Sequence, residues 1–370
     1  MKHVDRIIIG AGIYGLYAAV KSAEYGKSVL VLECGTDFFQ RASYVNQARI
    51  HNGLHYPRSY ETASKCQSYY KQFIEDHKNC INQDFDAIYA VSAKDSLVCA
   101  KEFEWLIGRL DIDCRLISPD RFFKKGSVEA AYMVKEPAFD YVLLKKHYSD
   151  LISYYKSLIQ VKFDYLVDCI QYKDGEYVIN GEYSSPFLLN TTYASTNQVA
   201  SLLTDDLIKT KYELCEVILC DASPVYDYTG ITVMDGGFFS LMPWGNSSLY
   251  TLTSVHHTPH CQHIGSVPKF DCMGTAKVCS DKNLADCNMC PYRPHTAFNH
   301  MMTTLDRFLI DSQTIKYKKS LFAVKALLSG SECDDSRPTV IKQYEEFPGF
   351  YSVLSGKIST IYELDEIIQK

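Results

Sequence analysis

No stretch of this 370-residue chain approaches the roughly 18 uninterrupted apolar residues that a membrane-spanning helix requires. A bilayer span is therefore not expected. The N-terminal Met1-Lys2-His3-Val4-Asp5-Arg6 leads into a short apolar run with no small-residue cleavage site, which does not fit a secretory signal and predicts a cytoplasmic protein. Basic residues are too few and too scattered for a nucleic-acid footprint: Lys and Arg total 38 against 44 Asp and Glu, a formal charge of -6. There is no internal repeat and no low-complexity linker. Cysteine is not scarce, at 14 copies, yet a chain of this length does not need stapling, and a reducing compartment leaves most thiols as small buried hydrophobes.

What is present reads as globular. Hydrophobic residues make up 46% and charged residues 22%, and the length suggests two domains. The first motif comes at once. Ile7-Ile8-Ile9 reads as a buried parallel strand, followed by Gly10-Ala11-Gly12-Ile13-Tyr14-Gly15, a helix pattern from Ile13 to Tyr25, Gly26 as its stop, a second apolar run from Ser28 to Leu32, and Glu33. Gly10 permits a tight turn, Gly12 lets backbone approach a pyrophosphate, and Gly15 lets helix and strand pack. The helix start at Ile13 and Tyr14 offers unpaired N–H groups to the phosphates, and Glu33 accepts hydrogen bonds from a ribose. Strand, glycines, helix, strand and acid in that order predict dinucleotide binding.

Three further segments decide between dinucleotides. Arg41-Ala42-Ser43-Tyr44-Val45-Asn46-Gln47-Ala48-Arg49-Ile50-His51-Asn52-Gly53-Leu54-His55-Tyr56 is similar to a loop written roughly S-x-x-N-S-G-V-I-H-x-G-x-Y-Y, with Gln47-Ala48-Arg49 in place of Ser-Gly-Val. Phe187-Leu188-Leu189-Asn190-Thr191-Thr192-Tyr193-Ala194 is similar to V-V-N-A-T-G, with Tyr193 at the glycine. Ser355-Gly356-Lys357-Ile358-Ser359-Thr360-Ile361-Tyr362 is similar to G-G-K-x-T-T-x-R, with Ser355 for the first glycine and Tyr362 for the arginine. Together with the nucleotide-binding start, these resemble the D-amino acid oxidase-like superfamily of FAD-dependent oxidoreductases, nearest in motifs to L-2-hydroxyglutarate oxidases and glycerol-3-phosphate dehydrogenases.

The resemblance implies an α/β fold: a discontinuous Rossmann-type FAD domain from residues 1–80, 140–215 and 320–370, and an α+β substrate domain with a mixed or antiparallel sheet from residues 81–139 and 216–319. It places FAD against Gly10, Gly12, Ile13, Tyr14, Gly15, Glu33, Cys34, Arg41, Ala42, Asn46, Gln47 and Thr191, with Gly356, Lys357, Ile358 and Ser359 at the flavin end. A Ser-Gly-Lys turn opening a helix points N–H groups and the Lys357 ammonium toward the pyrimidine edge, where negative charge develops on reduction.

Flavin oxidations need a proton acceptor and, for an acidic substrate, cations. The candidates are His51 as acid or base, with Arg49, His55 and Tyr56 on the same loop, and Arg337 as a fork for a carboxylate or phosphate. The bland alternatives are backbone-bonded histidines and a surface pair between Arg337 and the Asp334-Asp335 that precede it. His51 is also the candidate for a covalent FAD link, though the loop resembles the non-covalent hydroxyacid oxidases more. Asp235 to Gly245 and Leu249 to Val255 read as strands roofing the flavin, from which Tyr250 or His256 could face substrate.

Residues 256–294 are rich in Cys and His, and 259–294 read as a long inserted loop. Cys272, Cys279, Cys287 and Cys290 form a candidate structural zinc set, against the alternatives of buried free thiols or a redox dithiol. The leading function is oxidation of a C–OH or C–N bond of a small, polar, acidic substrate by hydride transfer to FAD, with oxygen or another acceptor taking the electrons. The alternatives are a flavin-dependent nucleotide-sugar mutase or isomerase, and a non-catalytic flavin-binding protein. Substrate identity and oligomeric state are not legible in the residues.

Overall fold

The computed structural model describes residues 1–222, 226–275, 279–280, 282–330 and 337–369, and statements of number or absence below refer to these. Two large sheets organise the chain. The first has six strands in the order Val340–Gln343, Phe350–Leu354, Leu188–Asn190, Arg6–Ile9, Val29–Leu32 and Ile159–Lys162. All neighbours run parallel except the outermost pair of Val340–Gln343 with Phe350–Leu354. Parallel strands covered on both faces need apolar side chains throughout, and Arg6–Ile9, Val29–Leu32 and Phe350–Leu354 are buried at every position. The helix Ile13–Glu24 follows the first strand directly. Ala18, Ala19 and Ala23 on it are buried, and such small side chains let a helix lie close to a sheet.

The second sheet is built around Thr210–Asp221, which pairs antiparallel with Tyr250–Ser254, Pro259–Gly265 and Lys316–Leu328. It continues through Phe239–Pro243 and Thr229–Met234 to Asp86–Ser92, Val128–Val134 and Cys114–Ile117. The one parallel pair, Thr229–Met234 with Asp86–Ser92, joins chain segments far apart in sequence. The expected mixed sheet is thus present. Asp235 to Gly237, however, form a bend between strands rather than part of one.

The inserted segment also departs from expectation. Residues 259–265 are an edge strand and Asp271–Thr275 a short helix, so the first half of the supposed loop is regular structure. Its polar His and Cys residues hid the strand because only one side of this edge element is paired. Among the described residues, no helix is long and apolar enough to cross a membrane.

Candidate functional site

A cavity of about 900 Å³ runs from the glycine turn of the first sheet to the inner face of the second. Its dinucleotide end is shaped by backbone that leaves no room for side chains. Gly10 has φ +103°, and a Cβ there would sit 3.0 Å from the Thr191 carbonyl oxygen. At Gly15 a Cβ would come within 1.9 Å of the Gly10 oxygen, so helix and turn touch backbone to backbone. Thr191 holds this contact by donating from Oγ1 to the Ile9 carbonyl at 2.9 Å. Glu33 accepts from Ala11 N–H at 2.7 Å and from Gly35 N–H at 2.8 Å, so the expected ribose acceptor also fixes the turn. Arg41 donates from Nη2 to Cys34 Sγ at 3.3 Å, which brings its guanidinium to the mouth of the same end. A dinucleotide fits this cradle: the turn is bare of Cβ atoms where a pyrophosphate would approach, and carboxylate and guanidinium flank it.

The 46–56 loop crosses the middle of the cavity. Asn46 donates to the carbonyls of Ala42 and Ser43 at 3.0 and 3.1 Å and accepts from Ala48 N–H at 2.6 Å, which folds the loop back on itself. Gln47 is tied to Thr253 Oγ1 at 2.6 Å. Ala48 adopts φ +58° and Tyr193 φ +55°, so both keep the left-handed backbone of the glycines they replace in the motif. Residues 48–50 then run antiparallel to 137–139: Phe139 N–H donates to the Ala48 carbonyl at 2.7 Å and Ile50 N–H to the Pro137 carbonyl at 3.0 Å.

That pairing delivers a residue the sequence did not single out. Glu136 is fully buried between Arg49, His51 and Tyr89. Arg49 donates from Nε to Glu136 Oε2 at 3.0 Å, Tyr89 donates its hydroxyl at 2.9 Å, and His51 Nδ1 lies 3.1 Å from Oε1. Burial by itself would raise the Glu136 carboxyl, but the Arg49 charge and the His51 contact hold it down at about 2. Arg49 also reaches Ser240 Oγ at 3.2 Å, and its side chain is 1% exposed. Although expected among the substrate-facing residues, it is committed to this network.

His51 keeps a half-buried face on the cavity. Burial lowers its pKa to about 4 against the pull of Glu136, with Lys357 and Arg49 lowering it further. His55 stacks on it at 4.8 Å between ring centroids, and Tyr56 packs edge-on against both. Burial, then the charges of Arg49, Lys357 and Arg337, keep His55 neutral, and its Nδ1 has no hydrogen-bond partner among the described residues. Lys357 Nζ stands 4.0 Å over the Tyr56 ring, and burial lowers its pKa to about 7. The turn before it is close-packed: a Cβ on Gly356 would fall 2.0 Å from the Arg337 carbonyl oxygen. Arg337 lines the cavity. Asp334 and Asp335, which the alternative reading pairs with it, lie outside the described residues.

The far mouth pairs Arg58 with Asp235. His256 lines it too, lying against Gly237, where a Cβ would meet the imidazole at 1.9 Å. Tyr250 instead belongs to the core behind the second sheet and does not face the cavity.

The zinc expectation is corrected. Cys272, Cys279, Cys287 and Cys290 do gather around one hollow of about 20 Å³, but the rest of its wall is largely apolar, from Leu214, Phe270, Met273, Leu284 and Val324. Among the described residues, no group of three or more His, Cys, Asp or Glu side chains is arranged to hold a metal ion. Burial pushes the Cys287 thiol up to about 12, which opposes the thiolate a metal needs. His260 is turned away onto Glu216, Nε2 to Oε2 2.9 Å.

Residues 5–136 match the family model described as FAD dependent oxidoreductase. The match spans about the first third of the chain. Among curated relatives, the chain is 25% identical over 367 residues to the FAD-dependent monooxygenase FPY4 of Fusarium mangiferae, covering 98% of this chain and 89% of the relative. It is 26% identical over 248 residues to the FAD-dependent monooxygenase kojA of Aspergillus flavus, covering 64% of this chain and 57% of that one. Among solved structures, glycine oxidase from Geobacillus kaustophilus superposes with a TM-score of 0.72 at 10% identity, over 100% of this chain and 95% of that one. Dithionite-reduced L-alpha-glycerophosphate oxidase from Mycoplasma pneumoniae, with FAD bound, gives 0.71 at 14% identity, over 100% and 96%. At these identities the structures establish the shared fold.

Proposed function

We propose that this FAD-dependent oxidoreductase oxidises a C–OH or C–N bond of a small, polar, acidic substrate, with His51 as proton acceptor. The observation that carries the reading is the pair of His51 with the buried, ionised Glu136 on the cavity wall. An Nδ1 that faces a carboxylate carries the ring proton, which leaves the Nε2 lone pair for the substrate. With its pKa near 4, His51 is neutral at physiological pH, the state a base requires. Glu136 then stabilises the imidazolium that forms, and Arg49 and Tyr89 position Glu136.

Arg337 and Lys357 supply positive charge for a carboxylate or phosphate. FAD, when bound, supplies acceptance of two electrons as hydride. By the motif resemblance and the shape of the turn, Gly10, Gly12, Ile13 and Gly15 would hold its diphosphate, with Glu33, Cys34, Arg41, Ala42 and Thr191 beside it. Asn46, Gln47, Gly356, Ile358 and Ser359 would flank the ring.

The test is anaerobic bleaching of the bound flavin by a panel of 2-hydroxy acids, amino acids and glycerol phosphates. At least one member should reduce it, and His51→Gln should slow that reduction by about 10²-fold or more while FAD stays bound. Reduction at the wild-type rate in His51→Gln would remove His51 from the chemistry.

A second reading, oxygen insertion, is favoured by the names of the curated relatives, which are FAD-dependent monooxygenases. Turnover under ¹⁸O₂ separates the two, since only insertion puts the label in the product. Activity that appears only after dithionite reduction, with no net oxidation, would instead mark a mutase.

A further inference from the structure

Residues 282–287, from the Cys-rich insertion, line the same cavity as the glycine turn. They belong to neither of the segments that the nucleotide-binding motif defines. Their position is fixed from three sides. Gln198, on the short helix Thr196–Ala200, donates from Nε2 to the Ser280 carbonyl at 3.2 Å. Leu284 is buried at 4% exposure with Phe270 and with Leu214 and Val324 of the second sheet. Asn288 Oδ1 accepts from Phe322 N–H at 2.7 Å. Arg41, Ala42, Ser43 and Val45 line this cavity together with the insertion, and the Arg41 charge offsets part of the burial-raised pKa of Cys287. Ser43 of that loop accepts from Ile13 N–H at 3.1 Å, at the helix start where a diphosphate would sit.

We propose that residues 282–287 are a third wall of the FAD site, a cap over the diphosphate in which Lys282 adds positive charge to that of Arg41. This rests on the FAD reading above. Lys282 borders the cavity, and its N–H is held by Ser280 Oγ at 3.2 Å. Asp286, the acid of the same segment, has Oδ1 turned back to accept from Asn288 N–H at 2.9 Å. The glycine turn brings dipoles but no cationic side chain to a doubly charged diphosphate, so a lysine on the opposite wall completes the charge balance. Cys287 of the cap and Cys272, Cys279 and Cys290 behind it serve as small apolar packing that seats it.

The experiment follows flavin fluorescence as FAD dissociates from the holoprotein and its Lys282 variants, at low and high salt. Lys282→Glu should raise the FAD dissociation constant by about tenfold or more and Lys282→Ala by about fivefold, whereas Lys282→Arg stays within about twofold of wild type. High salt should weaken wild type more than Lys282→Ala. Because the side chain is exposed, folding is not at stake, and a melting curve checks that. Equal affinity and equal salt response in wild type and Lys282→Glu overturn the cap. A wild-type protein that takes up no FAD sinks the underlying cofactor reading instead, and the two failures are distinct.

Discussion

Ala48 and Tyr193 hold a backbone conformation that costs an L-residue roughly 1 to 2 kcal/mol, at the positions where the motifs carry glycine. The loop at residue 48 is held by the Asn46 bonds and by its pairing with residues 137–139, so the fold retains the left-handed turn after the glycine is gone. For Ala48→Gly, relief of that strain is offset by the lost methyl, about 0.8 kcal/mol, and by glycine's extra chain entropy of about 0.5 to 1 kcal/mol. Its unfolding free energy should fall within about 1 kcal/mol of wild type by denaturant titration. Gly356→Ala is the contrast. Its Cβ would meet backbone, which cannot swing aside, so it should cost about 3 kcal/mol or more and release FAD.

Three buried groups also set the acid response. Glu136, His51 and Lys357 have folded pKa values of about 2, 4 and 7, each below the ordinary 4.5, 6.5 and 10.5. In each window the unfolded chain binds more protons than the folded one, so stability rises with pH and is lost on acidification. The FAD-free protein should therefore melt lower at pH 5 than at pH 8. Lys357→Met should flatten the slope between about pH 7 and 10 while leaving the acid-side slope in place.

At the scale of elements, the start of the chain was legible because most requirements of the glycine turn are local. Gly15 packs on Gly10, and Glu33 holds Ala11 and Gly35, whereas the contact of Gly10 with Thr191 comes from far along the chain. Glu136 was not legible, because nothing near it in sequence marks it among 44 acids. It becomes a partner of His51 only through the long-range pairing of 48–50 with 137–139. Tyr89 likewise lies on the strand Asp86–Ser92, well separated in sequence from both His51 and Glu136. The four cysteines drew attention by their crowding and by the spacing of Cys287 and Cys290, and their apolar environment decides that they pack. Glu136→Gln should keep the element pairing but lose the charge behind His51. The expected outcome is a fall in flavin reduction rate of about tenfold to a hundredfold with FAD affinity unchanged, and recovery in Glu136→Asp if orientation is what matters.

Across the whole molecule, the cavity lies on the seam between the two sheets, with walls from the first 60 residues, the insertion and residues 337–359. A ligand there binds the folded state alone and adds stability as RT ln(1 + [L]/Kd), about 2.7 kcal/mol at a hundredfold excess over Kd. FAD should accordingly raise Tm by several degrees and sharpen unfolding into one transition for both sheets. Two separate calorimetric peaks with only one moved by FAD would contradict a shared seam.

The strand order of the first sheet has a further consequence for biosynthesis. Arg6–Ile9 acquires its neighbour Leu188–Asn190 only after more than 170 further residues have been made, and that strand's other edge stays bare until Phe350–Leu354 emerges. A nascent chain stalled before that point carries an apolar ribbon with unsatisfied amides, the kind of surface chaperones recognise. The diphosphate turn is translated more than 300 residues before Phe350–Leu354, so stable cofactor capture has to wait until that strand has been made.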